Sequence, residues 1–243
     1  MSPNKIPMLI DDPQHYRSAT ELEVMEELFP VRGRRILELG CGRAWMTRQL
    51  AERFQPREII ATEVDKIQHA KNLLIDDLPG VSFRCEGAEA IDLPDNSIDG
   101  VLMLKSLHHV PEPLMQQALS EVARVLRPGG LAYISEPVYA GDFNEILRLF
   151  HDEKAVREAA FGALRQVVDR GTLELVCQVF FNAPGHYRDF EQFDERMIQV
   201  THTEHNIDSS LYQQIREAFN RHVGQDGAHF LKPSRVDLLR KPE

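Results

Sequence analysis

Along residues 31 to 137, short apolar runs alternate with amphipathic segments. Arg35 to Leu39, Glu58 to Glu63, Val81 to Cys85, Gly100 to Leu104 and Leu131 to Ser135 read as strands, compact apolar runs without helical spacing. Between them, "WMTRQLAERF", "DKIQHAKNLL" and "PLMQQALSEVARVL" place apolar side chains three to four residues apart, the rhythm of one helix face. The last helix runs into "RPGG", where proline and glycines end it and turn the chain. Strands alternating with helices predict an α/β fold with a doubly wound, mostly parallel sheet. Two later strand candidates, Met197 to Thr203 and Val236 to Arg240, bring the expected count to seven.

Flanking segments follow other rhythms. "SATELEVMEELF" predicts an N-terminal helix capped by Thr20, with Leu22, Met25, Leu28 and Phe29 on one face. After Ser135, "DFNEILRLFHDEKAVREAAFGALRQVVDRG" reads as helical, with apolar positions from Ile146 to Val167 and a stop at Gly171. "TLELVCQVFF" fits a helix or a strand equally. A further helix is expected over Ser209 to His222. The chain therefore divides into a lead-in (1–30), a sheet core (31–139), a helical lid insertion after the fifth strand (140–190) and a closing segment (191–243).

Charge and composition narrow the class. The 243 residues carry 28 basic and 38 acidic side chains, a net charge of −10, without the basic footprint of a nucleic-acid binder. No nucleic acid is expected as a partner. No run of about 18 apolar residues marks a membrane span. The first residues, "MSPNKIPMLIDDPQHY", make a poor signal peptide. Cys41, Cys85 and Cys177 are odd in number and widely spaced, which favours a reducing, cytoplasmic setting over a disulfide framework.

Candidate chemistry gathers at "ILELGCGRAWMT". A dinucleotide turn needs G-x-G-x-x-G/A, whose last position packs closely between helix and strand. Here Gly40 and Gly42 fill the first two places but bulky Trp45 fills the third. The phosphate loop G-x-x-x-x-G-K-[ST] is absent too. A nucleoside without phosphates fits better. The turn "ELGCG" resembles the first motif of class I S-adenosylmethionine-dependent methyltransferases. "CEGAEAIDLPDNSIDGVLMLKSLHHV" and "LSEVARVLRPGGLAYISEP" resemble that family's later stretches in the same order, over roughly residues 34 to 137.

The resemblance implies a Rossmann-like methyltransferase fold, S-adenosyl-L-methionine as cofactor, and roles for named residues. Gly40 and Gly42 would let backbone approach the methionine part, and Glu38 would neighbour its amino group. Glu63, 23 residues after Gly40, would hold the ribose hydroxyls, with Asp65 the rival. Gly87 and Ala88 would lie along the adenine, and Lys105 or Leu104 would add main-chain contacts. Two positions depart from the pattern: Gly87 stands where the family often has an acidic residue, with Glu89 the nearest replacement, and Ala44 replaces the third glycine. Trp45 is expected in the core or against the cofactor, and Asp99 in a structural role.

Methyl transfer to a small-molecule acceptor is the implied activity. His108 and His109 are the catalytic candidates, each also readable as packing or capping; His151 and His186 are further possible bases. Phe143, Phe150, Phe161, Phe180, Phe181 and Tyr187 could wall an acceptor pocket or form the lid's own core. No metal is expected, since "HTEH" (His202 to His205) offers an i,i+3 pair without a third ligand. Two other readings use the same residues: a non-catalytic protein that binds S-adenosylmethionine, and a methyltransferase modifying a protein or tRNA.

Overall fold

Along the central strands, side chains part to opposite faces with a period of two. In β2 (Arg35–Leu39), Leu37 and Leu39 join one apolar core while Ile36 joins the other. The same division recurs in β3 (Glu58–Thr62), where Ile60 opposes Ile59 and Ala61, and in β5 (Ile98–Leu104), where Val101 and Met103 oppose Leu102. Both faces are therefore buried, which is why these strands read as continuous apolar runs. Each Leu or Ile so buried contributes about 1.5–3 kcal/mol.

This computed structural model describes residues 7–199 and 206–243. Helices cover both faces. On one side lie α1 (Glu21–Leu28), through Leu22, Val24 and Met25, and α2 (Trp45–Phe54), through Met46 and Leu50. On the other lie α4 (Met115–Val125), through Ala118, Leu119 and Val122, and α6 (Lys154–Asp169), through Ala160, Leu164 and Val167. Thr20 caps α1 as expected: its hydroxyl accepts the Glu23 amide while the Glu23 carboxylate accepts the Thr20 amide. The remaining helices are α3 (Lys66–Asn72), α5 (Asp142–Leu147), α7 (Phe190–Phe193) and α8 (Ser209–Asn220).

Nine strands form the sheet among the described residues. Besides those above they are β1 (Arg17–Ser18), β4 (Val81–Arg84), β6 (Leu126–Pro137), β7 (Glu174–Tyr187), β8 (Val223–Gly224) and β9 (Gly227–Arg240). The order is β1-β7-β9-β6-β5-β2-β3-β4, with β8 paired to β9. All neighbours are parallel except β9, antiparallel to β6, β7 and β8. The chain goes outward from β2 through β3 and β4, then returns to add β5 on its other side. The order thus reverses beside β2, where open sheets of this kind place their ligands.

The sequence reading needs correction in four places. The expected seven strands are exceeded by the two-residue pieces β1 and β8. The segment expected as a helical lid (140–190) ends in β7, which pairs with β9 from Glu174 and Arg240 to Tyr187 and Ala228. Its aromatic, β-branched run gains more from a half-buried ladder than a helix offers. Met197 begins no strand, since Asp194–Ile198 forms a π-helical turn that Gln199 ends; the candidate's residues from 200 onward lie outside the described residues, as does "HTEH". Finally, β6 begins at Leu126, so "RPGG" lies within the strand, Gly129 taking a φ of 73° and donating to the Lys241 carbonyl.

Candidate functional site

The turn after β2 is shaped by contacts that exclude side chains. Gly40 has a φ of 79°, and a Cβ there would lie 2.8 Å from the Ser106 Cβ. The Ser106 hydroxyl donates to the Leu39 carbonyl at 2.8 Å, so the end of β5 is locked against the turn. Gly42, at a φ of 53°, faces open space: a Cβ there would meet nothing within 4 Å. Ala44 also takes the left-handed conformation, at a φ of 58°, and is buried. It fills the third-glycine place at a cost of about 1 kcal/mol.

Glu63, just past β3, closes this turn. Its carboxylate accepts the Gly42 amide at 2.8 Å and the Asp65 amide at 2.9 Å. Each oxygen keeps a second lone-pair site, enough for a pair of hydroxyls. Asp65, the rival, is spent on capping α3, accepting from the Ile67 and Gln68 amides. From α3, buried Asn72 donates to the Gly42 carbonyl at 2.8 Å, a contact that no sequence motif had flagged.

Glu38 is buried at 2% exposure, and its one hydrogen bond comes from the Thr47 hydroxyl at 2.6 Å. Burial pushes its carboxyl up to about 7, against the opposing pull of that hydroxyl. Among the described residues no basic side chain pairs with it. A carboxyl held this way fits an incoming ammonium group, whose charge would replace the lost water. Gly87 lies past β4, its α-carbon covered by the Glu89 carboxylate, and neighbouring Ala88 packs into the core. Trp45 is 60% exposed at the start of α2, which excludes the core and leaves the other expected place, against the cofactor. Asp99 is structural as expected, accepting from the Arg35 amide and the Arg127 guanidinium.

A second space opens beside the ends of β5 and β6. This cavity of about 330 Å³ is lined by Lys105, His108 and His109 from the loop after β5, by Phe143, Asn144 and Leu147 of α5, by Phe150, His151 and Glu153, and by Arg157 of α6. Arg196, Met197 and Lys232 complete its wall. Of the six aromatic candidates only Phe143 and Phe150 line it. Phe181 is in the sheet core, and Tyr187 belongs to a separate aromatic cluster with Phe143, Phe190, Phe193, Phe219 and Phe230. His186 does not reach the cavity; its ring meets the Asp226 carbonyl.

His108 sits between carboxylates that sequence reasoning missed. Its Nδ1 hydrogen-bonds Glu136, at the end of β6, and its Nε2 lies 3.5 Å from Glu153. Burial alone would lower its pKa, but the two carboxylates outweigh that and raise it to about 9. Glu153 is held well below the usual carboxylate range: burial opposes this, and His108 and Arg157 overcome it. At neutral pH His108 is therefore a cation that donates protons rather than taking them. Ligand atoms of His108, His109 and Glu153 fall within 4.8 Å of one another, close enough for a metal. The charge on His108 and the Arg157 contact to Glu153 at 2.6 Å both work against one. The missed carboxylate had one visible sign: Glu136 interrupts an otherwise apolar run, "LAYISEP".

A doubly wound sheet reversing at its first long strand, with a glycine turn tied to an acidic strand end, is the architecture of class I methyltransferases. The comparisons agree. Residues 36–130 match the family described as "Methyltransferase domain". An uncharacterised methyltransferase of Mycobacterium bovis is 41% identical over 108 residues, covering 44% of this chain and 42% of its own length. The O-methyltransferase cnsE of Penicillium expansum is 33% identical over 175 residues, 65% of this chain and 63% of its own length. The chain thus spans less than two thirds of the length of these relatives. The solved structure of the YcgJ protein from Bacillus subtilis superposes with a TM-score of 0.62 at 19% identity, over 91% of this chain and 97% of its own. Residues 36–130 are thus similar to a methyltransferase domain, and the fold is the Rossmann-like one of solved methyltransferase structures. Among the described residues, no helix is long and apolar enough to cross a membrane.

Proposed function

We propose that this protein is a methyltransferase that uses S-adenosylmethionine to methylate a small molecule, within the cytoplasm. One observation carries the reading: a buried Glu38 carboxyl without a cationic partner stands beside a glycine turn that Glu63 fastens. Glu38 would receive the cofactor's amino group, the Gly40 and Gly42 backbone its methionine part, and Glu63 its ribose. Backbone at Gly87 and Ala88 would run along the adenine, and the Lys105 main chain would complete the crevice. When bound, the sulfonium supplies an electrophilic methyl group on a good leaving group. The chain's own task is then to align the acceptor and exclude water.

The cavity beside β5 and β6 is of small-molecule size. Its cover is built from α5 and the start of α6, the helical part of the expected lid. His109, on the cavity wall, is the candidate base, and protonated His108 is a positioning residue. The Penicillium relative is named an O-methyltransferase, which supports an oxygen nucleophile.

Calorimetry with S-adenosylmethionine and its demethylated product tests the cofactor assignment. Binding of both is expected, and no binding of either overturns it. Methyl-labelled cofactor added to a size-fractionated lysate tests the acceptor class. Label in the small-metabolite fraction is expected; label confined to protein or RNA favours a macromolecule-modifying enzyme. Cofactor binding with no transfer anywhere favours a non-catalytic protein.

A further inference from the structure

The charge lining the acceptor cavity runs against the charge of the chain. The protein carries −10, yet this wall holds more cations than anions. Protonated His108 is offset by Glu136 and Arg157 by Glu153, both pairs in direct contact. Lys105, Arg196 and Lys232 remain. Lys105 lies in the field of Glu21, a carboxylate already held by the Tyr133 and Ser135 hydroxyls. Among the described residues, neither Arg196 nor Lys232 pairs with a carboxylate.

Lys232, on β9, is the best placed of the three. Its Nζ donates to the Tyr187 hydroxyl at 3.0 Å and lies 3.9 Å above the Phe143 ring. A hydroxyl and an aromatic face hold an ammonium in position without neutralising it. Two of its three N–H donors are left for something else. Burial, together with the charges of Lys105 and Arg196, lowers its pKa to about 8, the signature of a cation short of a counter-ion. Around it the wall is apolar, from Phe143, Leu147, Phe150 and Met197.

Resting on the methyltransferase reading, we infer that the acceptor is an organic carboxylate with an apolar body, its anionic group seated on Lys232. Aromatic and aliphatic walls would take the body, and Arg196 would close on the anion from the π-helical turn. A neutral molecule of the same shape would cover the half-buried Lys232 ammonium without compensation.

The test uses matched probes on the whole protein: 3-phenylpropanoate against 3-phenylpropanamide and octanoate against octanamide. Binding is measured by calorimetry, with and without S-adenosylhomocysteine. Each acid is expected to bind at least tenfold more tightly than its amide. Lys232→Met is expected to erase that preference and Lys232→Arg to restore most of it. Equal binding of acid and amide, failure of both acids to bind at millimolar concentration, or an unchanged preference in a folded Lys232→Met variant overturns the inference. Failure of S-adenosylhomocysteine to bind, with the acid preference intact, overturns the methyltransferase reading and leaves the anion seat standing.

Discussion

Glu63 and Gly42 meet at 2.8 Å, the carboxylate of one accepting the backbone amide of the other across the carboxyl ends of β2 and β3. The same side chain therefore shapes the turn and presents free lone pairs to a ligand. Glu63→Ala is expected to weaken S-adenosylhomocysteine binding by about 1–3 kcal/mol, the worth of hydrogen bonds to a charged group. Titration calorimetry reads the change, and an affinity equal to the parent's would remove Glu63 from the site.

Gly40 is required by both its dihedral and its neighbour. Gly40→Ala would place a methyl group 2.8 Å from the Ser106 Cβ at a φ of 79°. The left-handed conformation alone costs about 1–2 kcal/mol, and the overlap adds to it. Urea unfolding of Gly40→Ala, and of Gly40→Ala combined with Ser106→Gly, separates the two contributions. The double variant should recover part of the loss; a single variant as stable as the parent would refute the crowding.

Glu38 ties cofactor affinity to pH. Its carboxyl is raised from 4.5 to about 7 in the folded chain, so the native state favours the protonated form. Stability without ligand should fall as pH rises from 4.5 to 7, by an amount on the order of a few kcal/mol. Glu38→Gln should flatten that slope. An ammonium ligand favours the ionised carboxyl, so cofactor binding should tighten from pH 6 to 8 in the parent and less so in the variant. Parallel pH profiles for the two proteins would contradict the assignment.

His108 and Lys232 bend the stability curve in opposite senses. His108 is raised from 6.5 to about 9, so its stabilisation is complete below pH 6.5 and disappears as pH climbs to 9. Lys232 is lowered from 10.5 to about 8; its penalty is complete below pH 8 and is relieved between 8 and 10.5. His108→Gln should remove a decline on the order of 3 kcal/mol between pH 6.5 and 9. Denaturation midpoints measured across that range decide it, and superimposable curves would show that His108 is neutral in the fold.

The core strands and the glycine turn were legible in the sequence because their signals are local. A strand buried on both faces writes a continuous apolar run, as Ile36 to Leu39 does, and a left-handed turn writes glycine at positions 40 and 42. The cavity beside β5 and β6 was largely illegible. Lys232 stands 127 residues from Lys105 and meets Phe143 only because β9 inserts between β6 and β7. His108 likewise reads as half of a histidine pair until folding brings Glu136 and Glu153 to it. The β7 segment stayed open between helix and strand for a related reason: its partner β9 comes about forty residues later in the chain.

The antiparallel insertion of β9 brings a late stretch of the chain to the cavity beside β5 and β6. The turn, Glu38 and Glu63 lie inside residues 36–130, the stretch in which the family resemblance is recorded. Lys232, on the cavity wall, belongs to β9, which lies beyond that stretch. A substitution on the cavity side of β9 can therefore alter this wall without touching the Gly40 turn or its Glu63 tie.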